Sequence, residues 1–578
     1  MNHAVQAQAT AGFILHRGAI ITMDQAAAQA EAIAVRGGRI VAVGRFEELR
    51  QHLPASTRCL DLQGRTVVPG FVDAHAHLDR EGLKELFPSL TGVRSIAEVQ
   101  QRIASEAKRR PAGSWIITMP LGEPPFYFNP LEGLAEGRWP TRRDLDAAAP
   151  DHPVYIRAPW GFWTKPPIVS IANSRALQLC GITAQTRPPL ATITIELDEQ
   201  RREPTGVFRE QNYFPLVELT MMPQVPRFSL ADRVEGLRRS MARYAEAGVT
   251  TVYEGHGLAP ELLDAYARLT PEEMRLRCHL VRSAPWDSPE EAARELADAQ
   301  GGPHSLEAAN HWLRVDGLFL PIVGNRALID LLRGYLPYTG WAGFLPHLLE
   351  EEEYERFAEV AVRYGQRINT IEGWKSDRLL EIWEGVARRL PRAQPLRHVL
   401  VHLRKPSEAA MRKMQAQDVV VTTVPFAFLW KDAEKYAGLP EEEQEIVPHR
   451  SLLEHGVHFA MGTDNCPVNP FAVMWSAVTR RERMSGAVLG PRQRLRPWEA
   501  LRAMTADGAY LCGRENELGR LAAGMLADFV VLDENPLTVA EDDLPRLRPV
   551  VTVSNGKVSF AAPGTDLGEE LRAASATP

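Results

Sequence analysis

Two rhythms of apolar and polar positions interleave through the middle of the chain. Residues 231–247 place Val234, Leu237, Met241 and Tyr244 on one helical face, stop at Gly248, and lead at once into the β-prone run Val249–Tyr253. The same order recurs and gives eight candidate strands: Thr66–Val72, Val249–Tyr253, Arg275–Val281, Trp312–Asp316, Gln366–Ile371, His398–His402, Asp418–Thr423 and Val457–Gly462. Strands alternating with helices imply a parallel sheet with crossover helices, and eight is the count of a (β/α)8 TIM-like barrel. A doubly wound sheet shares the local pattern, so the polar residues must arbitrate.

The two ends read differently. Short β-prone runs at Phe13–Leu15, Ala19–Thr22, Ala32–Val35 and Arg39–Val43 are punctuated by Gly18, Gly37-Gly38 and Gly44. Asp528–Leu532 and Val550–Ser554 repeat that texture near the other end. We therefore expect a small β-sandwich domain built from residues 1–68 and 515–562, a barrel over 69–514 and a flexible tail over 563–578. Between the first and second strands lie about 175 residues, too many for a connecting loop. The proline- and aromatic-rich part, residues 111–227, is expected to fold as a cap on the barrel face where the loops build the site.

Composition narrows the function. Of 578 residues, 45% are hydrophobic and 24% charged, which fits a soluble globular chain. A net charge of −7 argues against nucleic-acid or acidic-lipid partners, which favour basic surfaces. Five scattered cysteines suit a reducing cytoplasm better than a disulfide framework. No run approaches the roughly 18 apolar residues needed to span a bilayer. The N-terminus lacks a basic segment followed by an apolar one, so secretion is not expected.

Three polar signals fall at strand ends. The run Val67-Val68-Pro69-Gly70-Phe71-Val72-Asp73-Ala74-His75-Ala76-His77 delivers two histidines, two residues apart, to one side of an extended segment. That spacing suits two nitrogen ligands on one divalent cation. His402 ends the sixth candidate strand and Asp464 follows the eighth. Barrel sites lie at strand C-termini, so one shared site accounts for all three signals.

With these residues in view, the chain resembles the amidohydrolase superfamily, in the branch that contains N-substituted formamide deformylase. The resemblance extends to Arg17-Gly18…Ala34-Val35-Arg36-Gly37-Gly38-Arg39-Ile40 in the opening sheet and to Glu203-Pro204-Thr205-Gly206-Val207-Phe208-Arg209-Glu210 in the insertion. It closes with Leu518-Gly519…Ala523-Gly524…Ala527-Asp528-Phe529-Val530-Val531-Leu532. The resemblance implies metal-dependent hydrolysis, with His75, His77 and Asp464 as ligands. His402 is then either a fourth ligand or a donor behind the ligands, and a homo-oligomer is a family-level expectation.

Departures from the branch matter. Asn369 occupies the place where a strand-five histidine is usual, and Trp312-Leu313-Arg314-Val315-Asp316-Gly317 offers no bridging lysine. Both argue for one metal ion, zinc by expectation, with iron and manganese as alternatives. Three protein ligands and an open position would leave room for a water activated near neutral pH. Asp464 would then act as base and His402 as polariser of the carbonyl. Glu372, Glu254 and His256 are auxiliary candidates, although acids and histidines after strands more often cap helices or face solvent.

Trp160, Phe162, Trp163, Trp374 and Trp430 fall in segments expected near the barrel mouth, where an aromatic substrate pocket would form. No basic cluster or phosphate-cradling loop stands out, so the expected substrate is a small neutral amide, formamide, urea or cyclic amide. Deamination or lactone or ester hydrolysis on the same fold is the alternative chemistry. A third reading is a binding protein that kept the barrel and lost the metal.

Overall fold

Eight parallel strands follow one another round a central sheet: β1 (Phe71–Asp73), β2 (Val249–Leu258), β3 (Arg277–Arg282), β4 (Leu313–Phe319), β5 (Ile368–Ile371), β6 (Val399–Val401), β7 (Val420–Thr423) and β8 (Phe459–Met461). Each pairs in parallel with the next. The ends meet where Ala74 N donates to Met461 O (3.2 Å) and Asp464 N to His75 O (2.8 Å), so the sheet closes into a barrel. The computed structural model describes residues 12–24, 28–200, 202–283, 286–300, 311–322, 326–336, 338, 340–341, 343, 348–371 and 376–575. Among these, no helix is long and apolar enough to cross a membrane.

All eight candidate strands lie on barrel strands, with two changes. The run expected as one strand over Thr66–Val72 is split at Gly70. Thr66–Pro69 pairs with Phe13–Ile21 and Phe529–Leu532, and β1 starts afresh against β2. Apolar side chains throughout the run conceal the change of sheet, because both halves are buried. The second strand runs on to Leu258, which places Glu254 and His256 within β2 and not after it. Small apolar and aromatic residues, among them Val72, Ala74, Tyr253, Val281, Phe319, Val399, Val420 and Ala460, share one buried cluster contributed by seven of the eight strands.

The helix before β2, Leu230–Glu246, shows why these segments pack outside the barrel. Ser229 caps it through Asp232 N in a capping box, and Val234, Leu237, Met241 and Tyr244 are buried in the main core.

Strands from both termini share one further sheet, in the order Lys557–Ala561, Pro549–Ser554, Phe529–Leu532, Thr66–Pro69, Phe13–Ile21, Gln29–Arg36 and Arg39–Gly44, with Arg58–Asp61 also on Phe13–Ile21. Phe13, Leu15, Ile33, Val35, Phe529, Val531, Val551 and Val553 form its common core. The tail expected to be flexible is instead a helix, Asp566–Ser575. Its Leu567, Leu571 and Ala574 recur at helical spacing and are buried in that core.

The insertion carries a five-stranded sheet in the order Ile193–Leu197, Pro204–Glu210, Ile168–Ala172, Val154–Ile156 and Ile116–Thr118. It recruits chain from before residue 111. The helix Ile96–Lys108 buries Val99 and Ile103 against Ile116, Val154 and Ile156, a stripe at i, i+4 that needs this sheet as its partner.

Candidate functional site

His75 and His77 leave the end of β1 pointing into the barrel mouth. Four features of the local chain hold them. Asp73 Oδ1 accepts from His75 N (3.1 Å) and Thr463 N (2.9 Å), and its Oδ2 accepts from Thr463 Oγ1 (2.6 Å), so one carboxylate ties β1 to the segment after β8. Burial pushes that carboxyl up to about 7, against the pull of these hydrogen bonds. Gly255 and Gly462 make room for the first histidine. A Cβ on Gly255 would stand 2.2 Å from His75 Nδ1, and one on Gly462 would stand 2.4 Å from His75 N. Glu254 Oε1 accepts from Leu78 N (2.9 Å) and Tyr266 Oη (2.6 Å), which fixes the turn after His77. Asn465 Nδ2 donates to His77 O (2.9 Å) and to Glu81 Oε2 (2.9 Å).

Across the mouth, His402 follows β6 and Asp464 follows β8. Both hold left-handed backbone, with φ of 61° and 52°, a conformation that costs energy for residues other than glycine and clusters at functional sites. The donor atoms converge. His402 Nε2 lies 2.9 Å from His75 Nε2, and His77 Nε2 lies 3.0 Å from Asp464 Oδ1. His75 Nε2 and His402 Nε2 stand 3.9 and 3.8 Å from the two Asp464 oxygens. The His256 ring joins them, its centroid 4.5 Å from that of His75, 4.7 Å from His77 and 4.9 Å from His402.

Burial sets the protonation of this group. It holds His75, His77 and His256 well below the ordinary histidine range, and their mutual proximity and Arg80 push the same way. His402 is lowered to about 4 by burial, with Asp464 opposing. Burial raises Asp464, while His402, Arg80 and Lys431 hold it down. The cluster is therefore four neutral imidazoles at neutral pH, each with a lone pair, beside the carboxyl group of Asp464. His75 Nδ1 and His77 Nε2 are buried without a hydrogen bond. Uncharged nitrogens in van der Waals reach of one another, with such orphaned atoms among them, are what a divalent cation would satisfy.

Three overlapping groups have donor atoms within 4.8 Å of one another: His75, His77 and His256; His75, His402 and Asp464; and His77, Asp79 and Glu254. Arg80 stacks at 5.1 Å over Trp160, binds Asp79 through Nε (3.1 and 3.2 Å) and reaches His77 Nδ1 (3.1 Å). A guanidinium only donates, so Nδ1 accepts here. With a cation on Nε2 the proton would sit on Nδ1, where Asp79 and Glu254 oxygens, 3.8 and 3.9 Å away, are the acceptors at hand.

The remaining expected residues fall elsewhere. Asn369 is buried deeper in the barrel, accepting from Tyr253 Oη (2.7 Å) and donating to Leu318 O (3.4 Å). Trp160 belongs to the roof over the site. Trp163 packs edge-on against Trp341 (5.3 Å) in a core that also holds Trp160. Trp430 lies tilted against Phe426 (4.6 Å) and Phe126 (5.4 Å). Aromatic residues fill cores as readily as pockets, and sequence position does not separate the two. Glu372 and Trp374 lie outside the described residues. Asp79, Arg80, Lys431 and Asn465 join the site without a motif in the sequence that marks them, and Tyr244, a helix-face residue there, reaches it through its hydroxyl, which accepts from His77 N (3.3 Å).

A profile of the amidohydrolase family matches residues 58–560. The chain belongs to that family. A second profile, for the imidazolonepropionase-like composite domain of bacteria, matches residues 32–55 of this amidohydrolase. It is 28% identical to N-substituted formamide deformylase from Arthrobacter pascens, over 94% of this chain and 97% of that protein. Protein LONG AFTER FAR-RED 3 from Arabidopsis thaliana is 26% identical over 91% of this chain and 88% of its own. Among solved structures, an uncharacterized metal-dependent hydrolase from Pyrococcus furiosus superposes with a TM-score of 0.65 at 20% identity, covering 91% of this chain and 100% of the other. Another from Pyrococcus horikoshii gives 0.64 at 22% identity, covering 92% and 99%. The amidohydrolase is a hydrolytic enzyme built on the barrel described above.

Proposed function

We propose that the chain hydrolyses a C–N bond of a small molecule, such as a formamide, amide, urea or cyclic amide, at one divalent transition-metal ion, zinc by donor type. The observation that carries this reading is the convergence of neutral His75, His77 and His402 with Asp464 at the C-terminal mouth of the barrel. His75, His77 and Asp464 would hold the ion, with His402 as a fourth donor. When bound, such an ion lowers the pKa of water from 15.7 to about 7. A single ion is favoured because Asn369 takes the place of the strand-five histidine and the strand-four segment, Trp312–Gly317, offers no bridging lysine.

The side chains supply the rest. Asp464 is placed to take a proton from the attacking water and hand it to the leaving nitrogen. His256, neutral, offers an N–H to the carbonyl oxygen as charge gathers there. Glu254 and Asp79 position His77. The likeness to N-substituted formamide deformylase supports a formamide as the first substrate to try.

The test is elemental analysis of the full chain purified without chelator, with assays on N-substituted formamides, amides, ureas and cyclic amides. One ion per chain and release of an amine are expected. Two tightly held ions would overturn the single-ion centre, and ammonia release would turn the reading to deamination. No ion, with no hydrolysis restored by added metal, would leave a binding protein.

A further inference from the structure

Lys431 is a buried cation beside the site that the reading above does not use. It ends the short helical turn Phe426–Lys431 that follows β7, and it has no exposed surface. Among the described residues its ammonium makes one ion pair, with Asp432 Oδ2 at 3.0 Å, and that aspartate keeps 31% of its side chain in solvent. Enclosing an ammonium is costly unless charge and hydrogen bonds compensate it, and one partly solvated neighbour compensates it poorly.

Its surroundings belong to the site. Phe428, three residues earlier on the same turn, meets the His402 ring edge-on at 5.6 Å. The Lys431 ammonium stands 5.7 Å from the centre of the Phe162 ring. Phe162 is tied in turn to the loop after β8, since Cys466 Sγ donates to Phe162 O (3.5 Å) two residues beyond Asp464. Lys431 thus lies beside Phe162 and near the Asp464–Cys466 segment that Phe162 contacts.

We propose that Lys431 anchors a negatively charged group of the substrate, so that the molecule hydrolysed is an acid carrying the C–N bond and not a neutral amide. This rests on the hydrolytic reading above. The expected neutral substrate followed from the lack of a basic cluster in the sequence. In the fold, Arg80 after β1 and Lys431 after β7 are brought to one mouth by separate loops, which no linear cluster would show. Arg80 is held by Asp79 against Trp160. Lys431, with its single local partner, is the cation available for a ligand carboxylate. Aromatic faces beside it suit the carbon skeleton of such an acid.

The experiment compares matched acids and amides on the full metal-loaded chain: N-formylphenylalanine against its carboxamide for turnover, and phenylacetate against phenylacetamide for binding by calorimetry. The acid should be preferred by at least about tenfold in kcat/KM and in affinity. Lys431→Met, with metal content and melting temperature retained, should abolish the preference, and Asp432→Asn should keep or increase it. Lys431→Gln replaces the methionine variant if that one does not fold, and Lys431→Arg should retain the preference. Equal handling of acid and amide by the unaltered protein would overturn the proposal, as would an unchanged preference in Lys431→Met or Lys431→Gln. If neither formyl compound is hydrolysed, the binding arm still decides. Tighter phenylacetate binding that is lost with Lys431 supports the anchor while the formamide reading fails, and equal binding overturns the anchor itself.

Discussion

The Nε2 atoms of His75 and His402 stand 2.9 Å apart, although 327 positions separate the two residues in the chain. Two neutral imidazoles this close either share a proton or converge on a common electrophile. His75 Nδ1 has no partner, and Asp464 stands 3.8–3.9 Å from both Nε2 atoms. The arrangement places His402 directly beside His75 and Asp464.

Replacing Asp464 with Asn keeps the size of the side chain and one oxygen but removes the base. Turnover should fall roughly 10²–10⁴-fold while the fold is kept. Steady-state rates and circular dichroism on the same sample check this, and near-normal turnover would remove Asp464 from its role.

His402→Asn should lower metal occupancy measured after dialysis at a fixed metal concentration. Were His402 only a donor to the substrate, occupancy would hold and the rate alone would drop, by roughly 10²–10³-fold.

Gly255→Ala tests the space beside His75. The added methyl would meet the imidazole at 2.2 Å, so the ring must turn or β2 must shift. Metal affinity should weaken roughly 10–100-fold, as when a group supporting a ligand is disturbed. Titration with a chromophoric chelator reads the change, and unaltered affinity would show that the ring position is not critical.

Truncation before Leu518 removes Phe529, Val531, Val551 and Val553 from the sheet shared by the termini. Burying each such side chain is worth about 1.5–3 kcal/mol. Amide exchange in Phe13–Ile21 should therefore lose its protection. Protection equal to that of the full chain would show that the N-terminal strands stand alone.

Glu210, within the insertion, gives a pH dependence far from the metal ligands. Its Oε2 accepts from Leu216 N (2.6 Å) and Val217 N (3.1 Å), and burial raises its carboxyl to about 8. A raised pKa stabilises the fold fully below the unfolded value near 4.5, and that contribution is lost as pH rises toward 8. Glu210→Gln should therefore gain on the unaltered protein between pH 4.5 and 8, by up to a few kcal/mol, then level off. Urea unfolding at pH 5, 6.5 and 8 measures the gap. A constant gap would mean that Glu210 is ionised throughout.

The barrel was legible because its signals are local. Helix faces such as Val234, Leu237, Met241 and Tyr244, and the apolar runs that follow, repeat within a few residues. His75, His77, His402 and Asp464 were legible as strand-end polar residues. His256 and Glu254 were discounted because polar residues inside β2 disguised how far the strand runs. Lys431 and Arg80 could not be recognised in advance, since their significance comes from loops that meet only in three dimensions. The helix Asp566–Ser575 is not legible because its apolar stripe is short and the surface it packs on, Lys557–Ala561 and Pro549–Ser554 together with Arg58–Asp61, exists only once both ends of the chain have formed one sheet.

The sheet that joins the termini also sets an order of events during synthesis. Thr66–Pro69 emerges early, but one of its two neighbours, Phe529–Leu532, emerges only after the whole barrel, its Phe529 opposite Pro69. At roughly 5–20 residues per second, the roughly 460 residues between take on the order of half a minute to a minute and a half to make. Throughout that interval the edge of Thr66–Pro69 is unpaired and sticky, next to the nascent β1 that carries the histidine pair. The protein therefore depends on its last hundred residues to protect its first seventy, and a ribosome that stalls before Phe529 leaves an aggregation-prone product.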